Sequence, residues 1–322
     1  MRMRKIPLHR MCHAKQDWGM RSVRILVLTL VVVLCGAGTW WWTNSRQAGN
    51  LGVAAHALTA EILALGPRPP GSAGLDAVRG LVRDRLMSSG WSVQFQEFQR
   101  ETPVGTVKFA NLRARFASAG QDPWQKVPEG LLCAHIDSKM IPGQHFLGAD
   151  DAASACAAIV EMAGFLARQR PEQAAKLELV LFDGEESFGE SITPQDGLYG
   201  SRHYAGLWRN QPAKPRFGIL LDMIGHEDLS IRIPSDSPPD LAKRMFAAAK
   251  EEGVGSHFGT APGSIIDDHV PLNFAGIPTL DVIGDFTRFR WWHTPADQLK
   301  VISPVSLDIS IRVTLRMLDG LL

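Results

Sequence analysis

The sequence predicts an α/β domain with a mostly parallel central sheet and helices on both faces, preceded by one transmembrane helix. Two observations carry this. Apolar runs of strand length alternate with segments of helical periodicity, the pattern of a sheet whose strands are connected through helices. Eighteen uncharged residues, ILVLTLVVVLCGAGTWWW at 25–42, form a block just long enough to cross a hydrocarbon layer of about 30 Å. Of the 322 residues, 45% are hydrophobic and 21% charged, a composition that excludes disordered, collagen-like and coiled-coil chains.

Residues 1–24 form a basic tail. They hold seven of the 34 Lys and Arg and one of the 33 Asp and Glu, which leaves 27 basic against 32 acidic side chains in the remainder. The near-neutral total and this distribution exclude the electrostatic footprint of a nucleic-acid binder. Positive charge on one flank of the 25–42 block and Trp40, Trp41 and Trp42 on the other predict a cytoplasmic N-terminus, a signal anchor, and an extracytoplasmic remainder. A cleaved signal peptide is the rival reading, since Ala37, Gly38 and Thr39 are small. A polar tether spans 43–52, and 53–322 is expected as one catalytic domain, a monomer. Cys133 and Cys156 lie on the oxidising side of that arrangement, where one disulfide and two buried thiols are both open.

Helical periodicity runs over Leu51–Leu65, Leu75–Met87, Ala153–Gln169, Leu241–Glu252 and Pro304–Leu318. Strands are expected at Ser92–Phe98, Thr106–Phe116, Leu131–His135, Leu177–Phe182, Phe217–Leu221 and Thr279–Ile283. In such a sheet ligands bind beyond the carboxyl ends of the strands. His135 and Asp137, Asp183 to Glu186, and Asp222 stand at or just after those ends. With Asp150, Asp151 and His293, they make a set of carboxylates and imidazoles without thiolates, which suits a catalytic zinc site with an open position. Taken singly, Asp150 and Asp151 could simply cap a helix, and His293 could be a satisfied histidine. Adjacent Glu185 and Glu186 allow one carboxylate to bind metal while the other moves a proton.

The strings HIDSK, GADDAASACA, LFDGEES, PQDGLYGSRHYA, LLDMIG, DDHVPL and WWHT occur in an order that resembles the animal-type glutaminyl-peptide cyclotransferases, glutaminyl cyclases related to zinc aminopeptidases. The resemblance runs from about Leu58 to Leu318. It implies an acyltransferase that converts the N-terminal glutamine of peptides or proteins to pyroglutamate with release of ammonia. It further implies one zinc per chain on Asp151, Glu186 and His293, Glu185 as general acid/base, Asp222 and Asp267 as hydrogen-bonded neighbours of Glu185, and Trp292 against the substrate. His135 matches a superfamily metal position and receives no ligand role. The alternative is a zinc aminopeptidase with two metals and a water activated by Glu185, for which His135, Asp151, Glu186, Asp222 and His293 could supply the ligands. Three departures stand out: SFGESITPQD lacks the tryptophan of the animal enzymes, Asp281 stands where they carry a histidine, and Cys133 is offset by one residue from their disulfide position.

Overall fold

The structure is a computed structural model, and it describes residues 51–117 and 122–322. The expected span at 25–42, Cys12 and Cys35 lie outside the described residues. Among the described residues, no helix is long and apolar enough to cross a membrane.

Eight strands form one mixed sheet in the order β1-β2-β4-β3-β5-β8-β6-β7. The strands are β1 (Trp91–Thr102), β2 (Gly105–Phe116), β3 (Gly130–His135), β4 (Leu177–Phe182), β5 (Phe217–Asp222), β6 (Ile231–Ile233), β7 (Phe258–Thr260) and β8 (Thr279–Gly284). The parallel core expected from the apolar runs is β4-β3-β5-β8. The sheet is less parallel than expected at its margins. The hairpin β1-β2 joins β4 antiparallel, and β6 joins β8 antiparallel. A short turn between Thr102 and Gly105 can return the chain only antiparallel, whereas β3 and β4 are separated by a helix.

Side chains in the central strands alternate between two cores, as the two-residue strand period requires. Leu132, Ala134, Leu179, Leu181, Ile219, Leu221, Leu280 and Val282 point to one face. There they meet α1 (Leu51–Ala64), α2 (Ala73–Ser88), α3 (Ala155–Gln169), α5 (Pro239–Glu251) and α7 (Pro304–Asp319). Leu131, Cys133, Val180, Phe182 and Leu220 point to the other, against α4 (Tyr199–Trp208) and α6 (His269–Phe274).

Two expectations are settled by this packing. Cys133 and Cys156 are free and buried on opposite faces of the sheet, so no disulfide joins them, and the Cys156 thiol donates to the His135 carbonyl at 2.9 Å. The tether ends earlier than residue 52. Leu51 and Gly52 are buried in α1, where a Cβ on Gly52 would lie 2.2 Å from the Pro304 carbonyl oxygen at the start of α7.

Candidate metal centre

The carboxyl ends of β3, β4 and β5 and the loop Trp291–Asp297 meet around one cavity of about 340 Å³. Asp151, Glu185, Glu186, Asp222, Asp267, Trp292 and His293 all line it. The seven residues that the resemblance places in the reaction are therefore brought to the same place, whereas His135, Asp137, Asp150 and Asp183, also singled out in the sequence, do not line it.

Asp151 is held by its backbone. Gly148 adopts a left-handed conformation (φ 56°, ψ 63°), and a Cβ there would lie 2.1 Å from the Asp151 carbonyl oxygen, so only glycine fits. Asp151 itself departs from helical geometry (φ −104°, ψ 84°), which breaks the turn before α3. The buried carboxylate of Asp297 accepts from the Asp150 and Asp151 amides at 2.9 and 3.2 Å. Arg68, fully buried, donates to the carbonyls of Ile136, Leu147 and Gly148 and ties the same turn to the end of β3. Asp150 is structural: its Oδ1 accepts from the Gly225 amide and the Ser154 hydroxyl.

Asp137 plays the corresponding part for the two glutamates, accepting from the Glu185 and Glu186 amides at 3.2 and 3.3 Å. Lys139 Nζ donates to Glu186 Oε2 at 3.3 Å and to the carbonyl and hydroxyl of Ser187. His293 has φ 51°, and its ring stacks on Trp292 with centroids 4.0 Å apart. Its Nε2 then stands 3.4 Å from Asp151 Oδ2 and 3.2 Å from Glu186 Oε1.

One donor atom from each of Asp151, Glu186 and His293 lies within 4.8 Å of the others. Two carboxylates and one imidazole match the donor set of a catalytic zinc and leave room for a further ligand, so these residues fit the ion. A second grouping shares Asp151: His135 Nε2 approaches Asp151 Oδ1 at 3.1 Å and Asp222 Oδ1 at 3.4 Å. Glu185 belongs to neither group and is free for proton chemistry.

Burial raises the Glu185 carboxyl well above its usual range; the charges of Glu186, Asp267 and Asp268 add to the rise, and His135 opposes it. Burial likewise raises Asp222 to about 8 and raises Asp267. Asp222 Oδ1 and Asp267 Oδ2 have no hydrogen-bond partner, and Asp267 Oδ1 accepts from the Asp268 amide, so the hydrogen bonds to Glu185 that the resemblance implies are not formed between these three buried acids. For Asp151 burial works upward, but the bonds from His135 and His293 outweigh it and hold the group below the usual carboxylate range.

Arg68, Asp137, Lys139 and Asp297 carry this geometry and were not assigned roles from sequence. Lys139 sits inside the quoted string HIDSK and Asp297 three residues after WWHT, but nothing in their spacing separates them from solvated charges. Asp297→Ala leaves two buried amides without an acceptor. We expect it to weaken zinc binding about 10–100-fold, as loss of a group that orients a ligand does, measured by competition with a chelator.

The acids and histidines also set a pH dependence for the chelator-treated protein. Burial raises Asp150 and Asp183 to about 7 and Asp222 to about 8, so each keeps a proton in the folded chain that an unfolded aspartate releases near 4. Their contribution to stability is complete at low pH and is lost as pH rises through about 7 to 8. His293 acts in the same sense: burial lowers it, but Asp151 and Glu186 outweigh burial and raise it to about 9. The chelated protein should therefore melt lower at about pH 8.5 than at about pH 5, and added zinc should restore more stability at the higher pH, because it binds the deprotonated ligands. A melting temperature that rises across this interval in chelator would contradict the assignment.

The model of peptidase family M28 matches residues 119–318. A glutaminyl-peptide cyclotransferase-like protein of Mus musculus is 32% identical over 276 residues, covering 76% of this chain and 70% of its own. The glutaminyl-peptide cyclotransferase of Drosophila melanogaster is 30% identical over 304 residues, covering 86% and 83%. Among solved structures, the glutaminyl cyclase of an Acidobacteriales bacterium aligns with a TM-score of 0.74 at 28% identity over 84% of this chain and 94% of its own. That of Porphyromonas gingivalis aligns with a TM-score of 0.74 at 27% identity over 84% and 98%.

Proposed function

The chain belongs to peptidase family M28 and, within it, to the glutaminyl-peptide cyclotransferases, and from this premise we propose that it closes the N-terminal glutamine of peptides to pyroglutamate with release of ammonia. The observation that carries the reading is Glu185 standing free beside the Asp151, Glu186 and His293 donor set, inside a cavity near the small end of the ligand-pocket range of about 300–1,000 Å³. We assign one zinc to that donor set. When bound there, zinc supplies Lewis acidity toward the γ-amide carbonyl of the substrate.

The chain's own residues do the rest. The substrate α-amine attacks its own side-chain carbonyl, so no external nucleophile is needed and the main task is to hold a flexible side chain in a near-attack geometry. Trp292, Phe286 and the isoleucines at 192, 265, 266 and 283 wall the cavity. Trp292 is 38% exposed and stacks on His293 and Phe286, which leaves part of its ring surface open to a ligand. Glu185 takes a proton from the attacking amine and returns it to the departing nitrogen, which leaves as ammonia. Burial, with the charge of Asp267 in the same wall adding to it, keeps Glu185 in the basicity range that this exchange needs, and Asp222 stands beside it at the cavity, facing His135.

Trp292→Ala should raise KM roughly tenfold while zinc content stays constant, the loss expected when about 1.4 kcal/mol of binding shared by ground and transition states is removed. Steady-state kinetics on a Gln-initiated peptide, with metal analysis of the same sample, checks it.

The grouping of His135 with Asp151 and Asp222 favours one second reading, an aminopeptidase with two metals. Mass spectrometry of a Gln-initiated peptide incubated with the protein separates the two. Loss of about 17 Da, the mass of ammonia, supports cyclisation, and release of the first residue supports peptidase action. We also propose, from the basic tail and the 25–42 block, that a monomeric catalytic domain is tethered to a membrane on its extracytoplasmic side. Extraction of the full-length protein by carbonate without detergent would refute the anchor.

A further inference from the structure

On the face of the sheet that carries α4 and α6, a third set of donor side chains converges outside the Asp151 groups. It consists of Asp267 in the loop before α6, His269 at the first position of α6, and Asp281 in β8. One donor atom from each lies within 4.8 Å of the others. Leu280 and Val282 point to the opposite core, so strand alternation sends the Asp281 side chain to this face.

All three are buried, His269 and Asp281 to 0% exposure. Neither nitrogen of His269, neither carboxylate oxygen of Asp281, and not Asp267 Oδ2 has a hydrogen-bond partner. A fully buried carboxylate without a donor is costly, and Asp281 is one; Asp267 Oδ1 accepts from the Asp268 amide, which leaves its Oδ2 unpartnered beside the same imidazole.

The histidine distinguishes a metal site from a cluster of protonated acids. His269 Nδ1 stands 3.5 Å from Asp281 Oδ2, and the opposite nitrogen, Nε2, stands 3.6 Å from Asp236 Oδ2. The Asp236 side chain is 39% exposed, so this edge of the cluster reaches solvent. A metal-binding histidine characteristically presents one nitrogen to the ion and donates the other N–H to a carboxylate, which fixes the tautomer. Asp281, His269 and Asp236 stand in that order, with Asp236 at 3.6 Å just beyond hydrogen-bond reach of Nε2.

We propose that Asp267, His269 and Asp281 bind a divalent cation of the zinc class at a site separate from the Asp151, Glu186 and His293 centre, with Asp236 orienting His269 and marking the side from which the ion enters. The donors repeat the two-carboxylate, one-imidazole composition of that centre. Asp267 belongs to the cavity wall and to this cluster alike, so the ion would fix one wall of the pocket from behind.

The test needs no activity measurement, so it stands or falls separately from the cyclisation reading. Asp151 is common to both groups at the pocket, and Asp151→Asn disables both while leaving the third intact. The full chain in detergent is stripped with chelator, equilibrated with zinc and gel-filtered, and its zinc is counted by elemental mass spectrometry. D151N should keep one zinc per chain, and D151N combined with D281N should keep none. A D151N protein with wild-type circular dichroism and no zinc would overturn the proposal, as would a double variant that still holds it. Should D151N not fold, H269Q and D281N in the otherwise natural chain must each hold one zinc fewer than wild type, and equal counts would refute the site.

Discussion

Glu185→Gln lowers turnover of a Gln-initiated peptide by about 10²–10⁴-fold and leaves zinc content unchanged, the span over which a positioned general acid/base contributes. The substitution is close to isosteric, and the backbone at this position is held independently of the side chain. The Glu185 amide donates to Asp137 and its carbonyl accepts from the Leu198 amide at 2.8 Å, so the strand end keeps its course. Glu185 is in neither donor group that shares Asp151, so zinc has no reason to leave. What the variant loses is the exchangeable proton, since an amide cannot take one from the attacking amine and return it to the leaving nitrogen. The outcome that would sink the assignment is an E185Q protein with wild-type turnover and wild-type zinc, because the proton would then have to travel through Asp222, Asp267 or solvent.

The sequence is informative where chemistry and periodicity coincide. Leu177–Phe182, read as a strand from its apolar run, is β4 with the same limits, and Glu185 and Glu186 follow it into the cavity, while Asp183 turns to Arg79. The five helices with long periodic stretches are all present, with ends shifted by a few residues. Three-residue strands such as Ile231–Ile233 and Phe258–Thr260 are too short to show a period, and α6, with six residues, gives barely more than one turn. The site divides in the same way. Residues that touch the reaction announce themselves by type, as acids and histidines at strand ends. Those that aim them do not: Asp297 reaches Asp150 and Asp151 across about 150 positions of chain, and Arg68 reaches Gly148 across 80. Such contacts exist only once the sheet has brought the loops together. Cys133 shows the reverse case, in which strand parity alone argues against a disulfide with Cys156, and the two cores bear this out.

His293→Ala should abolish turnover and empty the Asp151, Glu186 and His293 centre of its zinc, with affinity there falling by well over about 100-fold, more than loss of an orienting group alone. His293 stands on a loop whose backbone takes φ 51° to aim the ring, while Asp151 comes from the turn before α3 and Glu186 from beyond the end of β4. Without the imidazole, Asp151 Oδ2 and Glu186 Oε1 face each other with Lys139 already engaged by Glu186 and Ser187, and His135 turned to Asp151 Oδ1 and Asp222. Two buried carboxylates in that position gain more from a proton than from a weakly held ion, so the metal is lost. The comparison with Glu185→Gln is the informative one. Both variants are inactive, but only H293A should lack the zinc of this centre, one fewer per chain than E185Q holds, and adding zinc in excess should not restore it, because the missing element is the third ligand and not the supply of ion. If H293A instead kept its zinc and lost only turnover, the metal would be held by His135, Asp151 and Asp222, and the two-metal peptidase arrangement would become the better description of the site.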